Sequence, residues 1–511
     1  MKWSNLIILQ VVIVAVCILF ESAEGSNILI LTPFGSRSVR ALFSVVAEKL
    51  VERGHKVTLV SSGEPVPRHV NLTHVLAPHS ALDQMDLFHM RSSGEVFKVW
   101  MAAFPKVARE MYRDQRMLDL WSRRLEFDAV IINSAANEMA FPFLLNVTAP
   151  FITLAPAGTE PLQLSHLGNL VSPAALPSIV VPYGDHMTLW ERLVNTFACL
   201  ALKYSFKRTV GAPLHAALQE SFPDLENPYE VYPRQSLALL NHHHLLDGPV
   251  PLLPNQVEVG CITCRDPQPL PKGVKEWVEG AGDAGVAYFS MGSFQNTSKI
   301  PQEYKKVIFE ALAKLPQRVV MKWRMSEVEK NEDLEQLPDN VRAYSWLPQQ
   351  DILGHEKVVV FLSHCGKHSA SEALYHGVPI LGLPITFDQP RVCARLARRG
   401  EAYILQWETL TSEAIIKGIA NLTQEKSYRK RVVAVSKRLH AQKESGLDKA
   451  IWWIEYVIEH GNDYLTFSGA DLSFAQYLLL DVLAIFAAVI LLILLILYTL
   501  LRSIYRRIWP S

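Results

Sequence analysis

Between Trp346 and Gln389 the chain concentrates side chains suited to a phosphorylated, hydroxyl-rich ligand. Trp346 offers a flat apolar face for a base, and Gln349 an amide for its edge. His364 can donate to phosphate, while Glu372, Asp388 and Gln389 offer acceptors for vicinal hydroxyls. A metal site must be weighed as well, because His364, His368 and Glu372 recur every four residues. Converging on a metal would require one helix through all three, yet His364 ends an apolar run just before Gly366. No metal site is expected.

The elements around these residues follow from the hydrophobic pattern. Val358 to Leu362 is a short β-branched run, the pattern of a buried parallel strand. Ser363 to Gly366 reads as a tight turn and Ser369 to Tyr375 as helix. Gly377 and Pro379 end that helix, and Ile380 to Leu383 gives the next strand. Strand, turn, helix, strand is half of a doubly wound unit, which binds ligands beyond the carboxyl ends of its strands. The first N–H groups of such a helix lack partners within it and lie at its positive end, so a diphosphate is the fitting anion.

In register over the same stretch stand Trp346-Leu-Pro-Gln349, Gly354-His355, Ser363-His364-x-Gly366, Glu372-Ala373, Tyr375-His-Gly377-Val378-Pro379 and Asp388-Gln389-Pro390. This series resembles the signature of the animal UDP-glycosyltransferase family, and weaker likeness runs from about residue 27 to 501. The resemblance implies two facing Rossmann-like domains (the GT-B arrangement) and a UDP-sugar as co-substrate, with no cofactor. It implies that Trp346 stacks on uracil and that Gln349 meets the uracil and ribose edge. His364 and the backbone near Gly366 would hold the diphosphate, Glu372 the ribose, and Asp388 and Gln389 the sugar. The strand Val286 to Ser290 runs into a turn like the family's nucleotide-facing one, adding Ser290, Gly292 and Ser293. Three positions depart from the pattern. Cys365 replaces a usual glycine, His368 replaces a small polar residue at what is still counted a UDP-sugar-binding position, and Lys367 adds a cation.

The family's general base is a histidine in the first strand-to-helix loop, held by an aspartate on a neighbouring strand, and it serves an inverting displacement at the anomeric carbon. Counting back from the Arg53-Gly54-His55 motif places that histidine at Val39, and the aspartate register falls on Asn133. Valine cannot accept a proton, and asparagine cannot balance an imidazolium. Glu138 is the nearest carboxylate, expected deeper. Three functions compete. One is a transferase for small lipophilic acceptors with restricted scope, or with a base from His69, His74, His79 or His89. The second is a pseudoenzyme that binds a UDP-sugar or lipophile. The third is a structural membrane glycoprotein.

The 511 residues suffice for two cores, and 50 basic against 50 acidic side chains give no reason to expect nucleic acid. Residues 1–25 read as a signal peptide. Residues 26–265 form the expected acceptor-binding α/β domain, 266–445 the UDP-sugar domain, and 446–481 helices leading to the membrane. Residues 482–501 are apolar enough to span a bilayer, and 502–511 form a tail whose arginines place it in the cytoplasm. That predicts a type I membrane protein with a luminal body, of the endoplasmic reticulum by family resemblance, and possible self-association. Asn71, Asn146, Asn296 and Asn421 sit in glycosylation sequons. After signal removal five cysteines remain, an odd set read as structural thiols, though Cys261 and Cys264 could form a disulfide or half a zinc site. Pro249 to Pro271 is the expected linker. The apolar region from about 155 to 240 is expected to shape an acceptor pocket, and Arg395, Arg398 and Arg399 are read as surface.

Overall fold

The computed structural model describes residues 25–63, 70–78, 93–134, 137–184, 186–293, 297–323 and 337–509. The expected signal peptide, Asn296, and three of the alternative histidines (His69, His79 and His89) lie outside them.

Uniformly apolar runs become strands covered on both faces, and here they build two parallel sheets. The first contains β1 (Asn27–Thr32), β2 (Lys56–Ser61), β3 (Leu72–Leu76), β4 (Ala129–Asn133), β5 (Phe151–Ala155), β6 (Gln235–Leu240) and β7 (Gln256–Glu258). Its order is β3-β2-β1-β4-β5-β6-β7. Helix α1 (Arg37–Glu52) follows β1, and α2 (Leu189–Ser205) lies in the long connection between β5 and β6.

The second sheet contains β8 (Val286–Ser290), β9 (Arg318–Lys322), β10 (Val341–Tyr344), β11 (Val358–Ser363), β12 (Ile380–Gly382) and β13 (Ala402–Ile404), ordered β10-β9-β8-β11-β12-β13. Helix α3 (Lys367–Tyr375) follows β11 and α4 (Gln389–Arg398) follows β12. In both sheets the strand order reverses beside the first strand, between β1 and β4 and between β8 and β11. Those are the switch points where the strand ends splay and leave a crevice.

Helix α5 (Gly446–His460) leaves the second domain and packs on the first. Ala450, Ile451, Ile454 and Val457 join the buried cluster of Ile28, Ile30, Phe43 and Leu50. The Arg53-Gly54-His55 motif explains the docking. Arg53 forks onto both oxygens of Glu455 at 2.9 Å, and His55 Nε2 lies 3.2 Å from the same carboxylate. The last helix, α6 (Leu480–Ile508), is long and apolar enough to cross a membrane, and none of it is buried.

Three expectations need correction. The proline-dense stretch is not all linker, because Gln256–Glu258 pairs with β6 as an edge strand of the first sheet. Four of the five cysteines are not thiols: Cys261 pairs with Cys264 and Cys365 with Cys393, leaving Cys199 as the free one among the described residues. Spacing alone could not reveal the second bond, since the fold brings the turn after β11 against α4. Arg395 is not surface, because α4 faces the other domain. Its guanidinium is buried 3.3 Å from Asp247. Arg398 pairs with Glu191 at 3.2 Å, and Arg399 donates to the Leu245 and Leu246 carbonyls.

The Cys365–Cys393 bond depends on Gly382. A Cβ there would lie 2.4 Å from Cys393 Sγ and 2.7 Å from Cys365 Sγ, with no flexible group to give way. Gly382→Ala is therefore expected to cost about 1–3 kcal/mol through overpacking, read as a lower denaturation midpoint of the full chain. Restoring the midpoint by adding Cys365→Ser and Cys393→Ser would show that the clash is with the disulfide.

Candidate functional site

The expected donor-site residues occupy the carboxyl ends of the second sheet's strands. Ser290 closes β8, and its Oγ accepts from the Gly292 N–H at 3.3 Å. Gly292 has φ +77°, a conformation that favours glycine. It must also be small for another reason. A Cβ on Gly292 or on Gly366 would each fall 2.5 Å from the His364 ring, so the imidazole lies between the two backbones. Buried there, His364 is neutral, its pKa lowered to about 3 by desolvation and then by Lys322. It can therefore meet a diphosphate as an N–H donor rather than as a cation. Its Nδ1 is buried without a hydrogen-bond partner.

Cys365 has φ +61°, which accounts for glycine being usual there. The left-handed backbone is kept, and the side chain turns inward to Cys393 rather than toward the turn's N–H groups. Lys367 likewise does not face the turn. Its ammonium is buried against Asp247 of the first domain. His368 is also drawn across the cleft, with Nε2 3.5 Å from Asn241 Nδ2. Burial, then Lys367, lowers its pKa to about 4.

A second cluster surrounds Gln349, at the start of the short helix Gln349–Leu353. Its Nε2 donates to Glu372 Oε2 at 2.6 Å and to Ser369 Oγ at 3.1 Å, and its Oε1 accepts from the Tyr288 hydroxyl at 3.2 Å. Burial lifts the Glu372 pKa to about 7 against the pull of Gln349, Arg265 and Lys322. Trp346 is 48% exposed at the cleft, and the Arg37 guanidinium lies 3.3 Å from its ring centroid. A base stacking on this indole must share or displace that cation.

Asp388 and Gln389 hold backbone. Asp388 Oδ2 accepts the Lys367 N–H at 2.8 Å, and Gln389 Oε1 accepts from Ile385 and Thr386 at 2.8 and 3.1 Å. Asp388 thus ties the start of α3 to the start of α4.

Three contributors were missed from sequence. Lys322 donates to the Gly292 carbonyl at 3.0 Å and lies 4.5 Å from the Trp346 centroid. Tyr288 and Arg37 are the others. Lys322 ends β9 as Ser290 ends β8 and Ser363 ends β11, so its strand-end position was the available signal.

The first-domain side of the cleft is the loop between β1 and α1. Its Ser38 N–H donates to Ser293 Oγ at 3.2 Å, bringing the two domains into contact at the site. Val39 stands in the first turn of α1 and packs on the cluster behind β1. Asn133, buried at the end of β4, donates to Thr32 Oγ1 at 3.2 Å and to the Phe34 carbonyl at 3.0 Å. It pins the loop as a donor where a carboxylate could only accept. His74 lies on the edge strand β3, 2.8 Å from Ser61 Oγ, two strands away from that loop. Glu138 is bonded to Tyr232 in the first-domain core.

Two facing parallel sheets of this kind are shared with solved sugar-transferring enzymes. The kitacinnamycin glycotransferase matches with a TM-score of 0.59 and 18% identity, over 85% of this chain and 99% of its own. The calicheamicin glycosyltransferase matches at 0.56 and 18%, over 85% and 99%. These likenesses establish the architecture. The family model described as UDP-glucoronosyl and UDP-glucosyl transferase matches residues 106–510. UDP-glucosyltransferase 2 of Dactylopius coccus is 32% identical over 91% of this chain and 90% of its own length. UDP-glucuronosyltransferase 2B10 of Homo sapiens is 27% identical over 96% and 94%. The chain belongs to the UDP-glycosyltransferase family, and its class is that of a UDP-dependent glycosyltransferase.

The raised pKa of Glu372 has a measurable sign. Its protonated form contributes stability that is fully present below the ordinary 4.5 and is lost as pH rises through about 7. In urea titrations from about pH 5 to 8, the stability of Glu372→Gln relative to the parent is therefore expected to improve steadily. The buried neutral histidines contribute equally to both proteins, so a flat difference would contradict the raised pKa.

Proposed function

We propose that this chain moves a hexosyl or glucuronosyl group from a UDP-sugar to a small lipophilic acceptor with inversion, without a cofactor. The carrying observation is the convergence of Ser290, Gly292, Ser293, Trp346, Gln349, His364, Gly366 and Glu372 at one sheet edge, in contact through Ser38 with the other domain. In this reading Trp346 takes the uracil and Glu372 the ribose. The His364 N–H and the first-turn N–H groups of α3 beyond Lys367, whose own N–H is held by Asp388, take the diphosphate, with Lys322 nearby to offset its charge. Asp388 and Gln389 shape the sugar pocket and complete its polar wall.

The acceptor must manage without a histidine at Val39. An acidic phenol or a carboxylic acid arrives already ionised, its proton lost to water. Its oxygen bonds to the anomeric carbon as the bond to the diphosphate oxygen breaks, and UDP leaves with the electron pair. Positioning and stabilisation of the leaving diphosphate then supply the rate. Nothing in the site favours a binding-only role over transfer. Helix α6 would anchor the enzyme with its body in the lumen of the endoplasmic reticulum. The exposed Asn71 and Asn146 are better glycosylation acceptors than Asn421, which is half-buried within the helix Ser412–Gln424.

Release of UDP from UDP-glucose or UDP-glucuronic acid by the full chain is the direct test. Turnover is expected with acidic phenols and near background with aliphatic alcohols. Val39→His combined with Asn133→Asp should raise alcohol turnover by about 10²–10⁴ while changing phenol turnover little. Asn133→Asp alone should destabilise, since a carboxylate would then face the Phe34 carbonyl. Equal wild-type rates across acceptors of differing acidity would rule out this account of the missing base.

Trp346→Ala is expected to weaken UDP binding roughly two- to tenfold, measured by calorimetry. Unchanged affinity would remove the stacking role.

A further inference from the structure

The loop that brings the two domains together carries a guanidinium for which transfer has so far found no use. Arg37 opens α1 and is exposed at the cleft, its guanidinium 3.3 Å from the Trp346 ring centroid. Other arginines of the first domain fork onto carboxylates: Arg53 onto Glu455, Arg109 onto Glu220 and Arg116 onto Asp114. Among the described residues Arg37 pairs with no carboxylate. What holds it is the face of an indole, a weak partner for a cation at an exposed site.

The charge balance of the donor turn leaves room for such a cation. A diphosphate is multiply anionic, yet His364 meets it neutral and Lys367 is committed to Asp247. Lys322 remains, its ammonium 3.0 Å from the Gly292 carbonyl and 4.5 Å from the Trp346 centroid. That single ammonium touches both the indole and the turn. A guanidinium over the same indole is therefore within a side chain's reach of the turn. The backbone places it there as well, because Ser38, the next residue, donates its N–H to Ser293 Oγ at 3.2 Å, one position beyond Gly292.

We propose that Arg37 is a diphosphate-binding residue supplied by the first domain, which gives up the Trp346 indole for phosphate oxygens when the base stacks. This rests on the reading of Trp346 as the platform for uracil. Base and guanidinium claim one face, so stacking dislodges the arginine. The phosphates then offer it a charge-assisted fork, a far stronger partner than the ring. The two parts of the nucleotide thus act on Arg37 in opposite ways: the base competes with it and the diphosphate recruits it. The recruited guanidinium draws the first domain onto the donor. As the bond to the anomeric carbon breaks, it also offsets the charge growing on the departing UDP.

Calorimetry of uridine and of UDP binding to the full chain tests these opposed effects. Arg37→Ala is expected to tighten uridine about two- to fivefold by removing its competitor. The same variant should weaken UDP about tenfold or more by removing the fork. Arg37→Lys, which keeps the charge but not the planar fork, should fall between parent and Arg37→Ala for UDP. Added salt should shrink the loss for UDP and leave the gain for uridine in place. Should Arg37→Ala prove unstable, Arg37→Gln gives the same comparison with a side chain of more nearly native length.

UDP affinity equal to the parent's in Arg37→Ala overturns the proposal. Weaker binding of both ligands does so too, since it would make Arg37 only a prop for its loop. Unchanged uridine affinity would place the base away from the arginine and end the exchange. Trp346→Ala keeps the premise separate. If it leaves the parent's UDP affinity unaltered, the uracil platform fails and the exchange with it. If it weakens UDP while Arg37→Ala alters neither ligand, the platform stands and the role of Arg37 alone falls.

Discussion

Asp247 holds the two domains together. It lies on the first-domain side of the cleft, fully buried, against Lys367 at the start of α3 and Arg395 on α4, with His242 3.8 Å away. Burial raises its pKa, but Lys367, His242 and Arg395 outweigh that and keep it ionised below the usual carboxylate range. Buried ions are costly to desolvate, and removing one partner of such a group costs about 3–5 kcal/mol because the other charges are stranded. The group therefore acts mainly as a fixture. It settles where α3 begins, and α3 carries Ser369 and Glu372 to the cluster around Gln349. Arg391 extends the same layer, reaching the Thr159 and Pro177 carbonyls of the first domain.

What sequence could and could not convey follows from this arrangement. The strands β8 and β11, the turn holding His364 and the helix with Glu372 were legible because each rests on local patterning: a β-branched run, a glycine, a capped helix. The two-sheet architecture followed from repetition of that unit. Most of the misreadings concern partners distant in the chain, the Cys261–Cys264 pair being the exception. Arg395 looks like a surface arginine until Asp247 is placed opposite, and the added cation of Lys367 has no evident partner until the same carboxylate claims it. Cys365 and Cys393 meet only because β12 passes between them with Gly382, whose missing side chain makes the room.

The loop between β1 and α1 is held by an amide rather than by a carboxylate. Asn133 donates hydrogen bonds to Thr32 Oγ1 and the Phe34 carbonyl. The loop in turn joins the two domains. It carries Arg37 to the Trp346 indole and the Ser38 N–H to Ser293. Contacts from the first domain thus reach the second through residues next to Val39. A ring stacking on Trp346 would contend with Arg37 for the same face.

The return of α5 to the first domain bears on how the chain is made. Ribosomes deliver residues in order, and domains generally fold as units during synthesis. Here the cluster behind β1 remains uncovered until Ala450, Ile451, Ile454 and Val457 have emerged. By then the whole second domain has been produced. The earliest part of the molecule is thus the last to be finished, and it waits with apolar surface open to water while its neighbour assembles. Completion comes only about twenty residues before Leu480, where the apolar α6 begins. A nascent chain cut short between α4 and α5 would keep every residue expected at the donor site and still leave the first domain incomplete.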